Sequence, residues 1–345
     1  MTHTFLNIVS YFGNLSFSYI DSHFTLWSLL AFYAVVVFVV NIRNRVIVRR
    51  FIFAFLLVAN IVWYRWVLTG ESDKLRVTFL DVGQGDAAFI EFPGGRNLLL
   101  DAGPRTESSD AGSRFIEPFL RQKGIHRINA ILISHPHSDH LGGVPYLMRR
   151  FGVDEVIDAG SAGNSSLFGE YIHLVDSLEV TRTILRAGTA IGGFGDVRLY
   201  ALHPSGDFVP VDSGEGINLN NQSIVVKLVY GASTVLFSGD AEREAEERMR
   251  NQYGDFLRCD VLKTGHHGSI TSSTLNYIQV VRPATAIVSV GVKNKFHHPS
   301  RVVLTRLAQT GAKYYRTDES GAIVLESDGS AWSVIDWQEV GRFAW

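Results

Sequence analysis

The hexapeptide HPHSDH at residues 135–140 limits this chain more than any other feature of its sequence. It follows the apolar run AILIS at 130–134 and precedes LGG at 141–143, the setting of a strand that hands over to a helix. His135, His137, His140 and Asp139 lie within six residues. As an exposed polar turn, such a cluster would suffer mutual repulsion once protonated. At a strand end the same side chains can converge on a cation without a large fold of their own. Imidazole and carboxylate suit zinc, and manganese when the set is rich in oxygen.

Further ligand candidates stand at other strand ends. His203 closes the strand-like VRLYALHP, and Asp240 closes LFSGD, where a carboxylate can bridge two cations. His266 and His267 sit in the glycine-flanked turn KTGHHGS, and His297 and His298 follow AIVSVG and a short loop. Eight of the twelve histidines thus lie in the motif or at or just past apparent strand ends, whereas His3, His23, His126 and His173 read as structural. Each candidate has a plainer role. Asp240 fits a helix N-cap, His203 before Pro204 fits a strand end, and either of His266 and His267 fits a polar surface. Cys259 is the single cysteine, which excludes an intrachain disulfide and a cysteine metal cluster, and its surroundings read as the start of a buried strand.

The charge is unevenly spread. Residues 1–70 hold five of the 32 basic residues and one of the 34 acidic ones. That leaves 27 basic and 33 acidic residues in 71–345, a net charge of −6. An acidic domain of this kind is a poor match for tight, charge-driven binding of nucleic acid over a broad surface, although local basic patches remain compatible with it. The slightly positive mean hydropathy, +0.10, comes from the first part. Residues 24–40 run without a charge, and a second apolar run covers 51–69 if Arg65 snorkels. With no Lys or Arg before residue 24 and no small-residue cleavage site after it, a signal peptide fits badly. Residues 1–71 are therefore expected to form a membrane segment, a transmembrane hairpin with spans 24–40 and 51–69. Four arginines between the spans place that connection in the cytoplasm and residues 72–345 outside it.

Past a polar break at 70–74 the pattern changes to alternation, with Leu75, Val77 and Phe79 on one strand face. Hairpins are expected around Pro93-Gly94-Gly95 and Gly231-Ala232-Ser233, then a charged helix over 241–253 closed by Gly254. Strand–helix units follow over 260–309, and strands near 313–316, 322–326 and 331–336 end the chain. Hairpins with interspersed helices indicate layers of sheet and helix. Asp81, Gln84 and Asp86 follow the first strand and Asp101 the third, placing them to hydrogen-bond ligating imidazoles. Lys263 and Ser269 are candidate contacts to a substrate phosphate.

HPHSDH followed by a distant His, an Asp and a final His resembles the ligand pattern of the metallo-β-lactamase superfamily. A narrower resemblance covers nearly the whole chain. DVGQGDAAFI, LLLDAG, SHPHSDHLGG, LHP at 202–204, NNQSIVVKL, LFSGDAE, VLKTGHHGS, TSS, IVSVG and FHHP occur in the order seen in the C-terminal domain of ComEC-type competence proteins. Residues 24–69 look like the last membrane helices before that domain. The resemblance implies an αββα sandwich over 72–345, two divalent ions (zinc or manganese) at one edge, and DNA as substrate during uptake. It implies His135, His137 and His203 around one ion and Asp139, His140 and His298 around the other, with Asp240 bridging.

Asp139 would also orient the attacking hydroxide, while His266 or His267 would serve the transition state or the leaving oxygen. The family's channel and oligonucleotide-binding domain are not in this sequence. The expectation is therefore an anchored phosphodiesterase or nuclease of the inner membrane, working with a separate channel subunit or apart from it. Alternatives are hydrolysis of another extracytoplasmic phosphodiester, of the choline or teichoic-acid type, and a non-catalytic assembly element of an uptake channel.

Overall fold

The computed structural model describes residues 44–68, 74–160, 165–206 and 218–335, together with Tyr33, Val36 and Phe38. The chain divides into two units, Met1–Gly70 and Glu71–Trp345.

In the first unit one helix, α1 (Arg45–Leu68), is described. Asn44 starts it, since its Oδ1 accepts from Val46 N at 3.1 Å and its carbonyl from Val48 N at 2.9 Å. The cap puts Arg45, Arg49 and Arg50 inside the helix, where the sequence suggested a connecting loop over 41–50. Phe53 and Phe55 are 71% and 72% exposed, and Leu56, Leu57 and Val58 are exposed as well. Side chains of α1 are described only through Ile61. Among the described residues, no helix is long and apolar enough to cross a membrane. The expected span 24–40 lies outside the described residues, apart from three isolated positions.

The second unit is built from two sheets. The first six strands, β1 (Leu75–Phe79), β2 (Ala88–Glu91), β3 (Asn97–Leu100), β4 (Arg127–Leu132), β5 (Gly152–Asp158) and β6 (Thr181–Ile184), belong to one sheet. The next seven, β7 (Ala190–Phe194), β8 (Val197–His203), β9 (Val225–Tyr230), β10 (Ser233–Phe237), β11 (Val261–Lys263), β12 (Thr285–Val288) and β13 (Lys313–Arg316), form the other. The chain then returns, and β14 (Ile323–Ser327) and β15 (Trp332–Ile335) extend the first sheet beyond β1.

Alternation fixes the layering. Leu98 and Leu100 point into the space between the sheets, against Leu199, Val226, Val235 and Phe237, while Leu99 between them points the other way. The outer face of the first sheet is covered by α2 (Glu117–Gln122), α3 (Ser138–Leu141), α4 (Val144–Arg150) and α5 (Ser166–Ser177), with Phe119, Leu147 and Tyr171 packed on Phe89, Ile131 and Val156. The outer face of the second is covered by α6 (Arg243–Tyr253) and α7 (Leu275–Val281), through Met249 and Tyr277 on Leu236 and Leu262. α8 (Arg301–Gln309) adds Val303 and Leu307 against Ala286. Sheets buried on both faces between helical layers make the expected αββα sandwich. Cys259 is buried as expected, its Sγ 3.1 Å from Val261 O.

Two parallel blocks position the site. β3 to β6 run parallel in one sheet and β10 to β13 in the other, so each block delivers its carboxyl ends to a common edge. The turn from α3 to α4 packs there without side chains. A Cβ on Gly142 would lie 2.3 Å from Arg105 N and 2.4 Å from Ser138 O. Gly142→Ala should therefore destabilise the domain by about 1–3 kcal/mol or more, read as a lowered denaturant midpoint. An unchanged midpoint would mean the two backbones part at no cost.

Candidate metal centre

Asp101, in the left-handed region at φ 59 just past β3, organises one side of the edge. Its Oδ1 accepts from Ser134 N at 2.7 Å and its Oδ2 from Ser134 Oγ at 2.8 Å, which fixes the chain where β4 gives way to HPHSDH. Oδ2 also lies 2.9 Å from His140 Nδ1. That contact turns the other ring nitrogen of His140 inward, 3.3 Å from Asp240 Oδ1. Asp240 follows Gly239, which has a φ of 50 and on which a Cβ would come within 3.0 Å of the Cβ atoms of both Ser134 and Ser223. Ser223 Oγ accepts from Asp240 N at 3.1 Å.

From the second sheet, the turn Gly265–Gly268 places His266 and His267 at φ 46 and 52, so that both imidazoles project from the end of β11. His267 Nδ1 is held by Ser289 O at 3.0 Å and Asp86 Oδ1 at 3.2 Å. Its Nε2 lies 3.4 Å from Asp139 Oδ2 and 3.7 Å from Asp240 Oδ2. His135 Nε2 lies 3.9 Å from Asp240 Oδ2 and 2.9 Å from His137 Nδ1. His266 Nδ1 sits 2.9 Å from Glu242 Oε1, and its Nε2 3.8 Å from Asp240 Oδ2. The two oxygens of Asp240 thus face different imidazoles.

The electrostatics follow from this crowding. Burial opposes ionisation of Asp240 and Asp139, yet the imidazoles beside them hold both carboxyls well below the usual carboxylate range. Burial likewise works against charging His267, but Asp240 and Asp86 overrule it and push its pKa up to about 10. His135, with burial and His140 acting together, is held well below the ordinary histidine value. For Asp86 burial again acts upward, and Lys263 followed by His267 brings it down to about 2.

A cation fits this arrangement. His140 Nε2, His267 Nε2 and Asp240 Oδ1 are buried and have no hydrogen-bond partner. Single ligand atoms of Asp139, His140, Asp240 and His267 all lie within 4.8 Å of one another. Ligands about 2.1 Å from a tetrahedral zinc are spaced about 3.4 Å apart, close to the 3.3, 3.4 and 3.7 Å separations here. A second acidic group, Asp86, Asp101 and His140, shares His140. Its carboxylates are already engaged by Lys263 and Ser134, so it reads as the support behind the ligands.

The remaining candidates fall elsewhere. Among the late histidines the sequence favoured His298 as the last ligand. It is His267, on the tight turn directly past β11, whose nitrogen joins the cluster. His298 comes at the end of a longer loop and stacks on Phe296, its ring centroid 5.7 Å from that of His266. His203 is buried and directs Nε2 to Asn221 O at 2.7 Å, because the turn Leu219–Gln222 offers it a carbonyl. Burial lowers its pKa to about 4.

Asp81 accepts from Gly83 N at 3.2 Å and shapes its own turn, and Gln84 accepts from Gly291 N at 3.2 Å. Asp86 and Asp101 do contact imidazoles of the cluster. Lys263 was a candidate phosphate contact, but it is 3% exposed and gives its ammonium to Asp86 Oδ2 at 2.6 Å and Thr264 O at 3.0 Å. Ser269 is also buried, its Oγ 2.9 Å from Thr271 Oγ1. Sequence reasoning passed over Ser134, Ser223 and Glu242, although Ser134 borders the motif and Glu242 lies two residues past Asp240.

Removing Lys263 leaves a charged carboxylate in the interior. Lys263→Met should lower stability by about 3–5 kcal/mol, measured by denaturant unfolding. In the wild type the depressed pKa of Asp86 contributes stability that is full above about 4 and lost as pH falls towards about 2. A variant with unchanged stability at pH 7 would show that Asp86 is neutral there.

Residues 80–292 match the family described as the Metallo-beta-lactamase superfamily. The chain belongs to that superfamily. Its relatives carry the assignment further. ComE operon protein 3 of Bacillus subtilis is 28% identical over 264 residues, covering 73% of this chain and 33% of that protein. Competence protein ComA of Neisseria gonorrhoeae is 31% identical over 271 residues, 78% of this chain and 35% of that protein. Recombination protein 2 of Haemophilus influenzae is 29% identical over 248 residues, 72% of this chain and 28% of that protein. The resemblance to the ComEC family therefore holds for the metallo-β-lactamase domain, a metal-dependent hydrolase fold. The chain spans about a third of the length of these curated relatives.

Proposed function

We propose that this metallo-β-lactamase domain is a two-ion phosphodiesterase acting on DNA, and that residues 24–69 anchor it in a membrane. The observation that carries the hydrolase reading is the set of buried, partnerless atoms on His140, His267 and Asp240. Asp139, His140, Asp240 and His267 would hold one divalent ion, zinc or manganese. His135 and His137 would hold the other, with Asp240 shared. Such ions supply Lewis acidity to water and to phosphoryl oxygens.

The protein's own groups do the rest. Asp101 and Asp86 fix the rings of His140 and His267, so that one nitrogen of each faces inward. Glu242 accepts from Nδ1–H of the partly exposed His266, so that His266 in its imidazolium form, whose Nε2–H lies near Asp240, can pass that proton to an oxygen of the departing group and be left as the neutral ring. DNA as the substrate draws on the competence proteins among the relatives. An anchor is supported by the uncharged run 24–40 and the exposed aromatic and aliphatic side chains of α1.

The full chain with added manganese or zinc should hydrolyse bis(p-nitrophenyl) phosphate and a DNA oligonucleotide, and a chelator should abolish both activities. Loss of neither on chelation would end the metal reading. For the anchor, a reporter active only outside the cytoplasm should work when fused after Trp345 and be silent when inserted at 41–44. The reverse pattern would invert the orientation, placing the metal centre in the cytoplasm.

A further inference from the structure

We propose that the loop at 292–298, between β12 and α8, is a platform on which an unpaired base of single-stranded DNA stacks beside the metal centre. The proposal rests on the DNA phosphodiesterase reading and adds the form of the substrate and the side chains that grip it.

The loop sequence is VKNKFHH. Residues 291–301 hold three cations, Lys293, Lys295 and Arg301, and no carboxylate, although 71–345 as a whole is acidic. Phe296 is 52% exposed and Val292 65%. The Phe296 ring lies nearly parallel to that of His298, at 16° with centroids 5.8 Å apart. The His298 centroid is in turn 5.7 Å from that of His266, whose Nε2 is 3.8 Å from Asp240. A short series of rings therefore leads from an exposed aromatic to the ion-binding carboxylate. Lys295 Nζ rests 5.0 Å from the Phe296 centroid, on a flexible stem that can swing to a phosphate when a base takes its place.

The platform is rigid at its base. Asn294 Nδ2 donates to Gly291 O at 3.0 Å and His298 O at 2.7 Å, and its Oδ1 accepts from His298 N at 2.9 Å. Gly291 N is tied across to Gln84. An aromatic face held in place next to lysines is the arrangement that grips single strands, because every base offers a π-face and the backbone supplies the charge. A duplex keeps its bases stacked on one another and offers no such face. An acidic domain with one cationic, aromatic loop beside its metal centre thus favours an unpaired strand entering at that point.

The test uses the full chain and two independent readouts. Binding of a short fluorescent oligothymidylate is followed by anisotropy with chelator present, and turnover of bis(p-nitrophenyl) phosphate is followed with manganese. Phe296→Ala should raise the Kd for the oligonucleotide about 5- to 150-fold, with Phe296→Trp restoring it. Lys293→Ala and Lys295→Ala together should flatten the slope of log K against log salt by about 1.4. Bis-ester turnover should be unchanged in all of these variants, and a duplex of the same length should be insensitive to Phe296→Ala. An unchanged Kd in Phe296→Ala would overturn the platform. Failure of the wild type to turn over the bis-ester would instead remove the phosphodiesterase reading, and the Kd comparison would still decide the platform.

Discussion

If the proposed two-ion centre is right, Asp240→Asn should cost the protein both divalent ions and nearly all turnover. Oδ1 of this residue faces His140, and Oδ2 faces His135, His266 and His267, so the carboxylate touches both proposed ion positions. An amide keeps the size but presents one weaker ligand oxygen and an NH2 group to groups that need an anion. The loss should exceed the about 10–100-fold that follows removal of a hydrogen bond behind a ligand. Plasma mass spectrometry of the purified variant, with bis-ester turnover alongside, reads both effects. Retention of one full equivalent would make Asp240 a ligand of a single ion.

The second large effect separates two histidines that the sequence alone ranked the other way. His267→Ala should deplete metal, with turnover falling in proportion and partly recovering in excess metal. Its Nε2 is buried, partnerless and within ligand spacing of Asp139 and Asp240. His298→Ala should keep its metal, because that ring stacks on Phe296 and contacts His266. Depletion in His298→Ala with full content in His267→Ala would restore the order read from the sequence.

The physical reason for that reversal shows what a sequence carries. Strand order is legible, because Leu257–Leu262 and 285–290 announce β11 and β12 by their apolar runs. What is not legible is how far each connection takes a side chain from its strand. GHHG folds back at once through two left-handed residues, whereas six residues separate Gly291 from His298. The hexapeptide at 135–140 was legible for the opposite reason. Its three histidines and Asp139 sit on a strand end and one helical turn, so local geometry alone brings them together.

The weakest elements were hidden by their composition. β6, TRTI, has no apolar face, and β7, AIGGF, carries two glycines, so neither shows the period of a half-buried strand. Asp101 and Asp86 were candidates from their position after strands, and both side chains lie against imidazoles. Lys263 was misjudged because burial beside Asp86 depends on a partner 177 residues away. Arg45, Arg49 and Arg50, read as part of a connecting loop, lie in α1 because Asn44, a residue as common in loops as at caps, starts the helix early.

The most direct test of the metal centre is anomalous diffraction from crystals grown with manganese or zinc, collected on both sides of the metal edge. A peak is expected about 2.0–2.2 Å from His140 Nε2, His267 Nε2 and the nearest carboxylate oxygens of Asp139 and Asp240, with a second beside His135, His137 and Asp240. The absence of any peak among these side chains, or a peak ligated by His298 and not by His267, would contradict it.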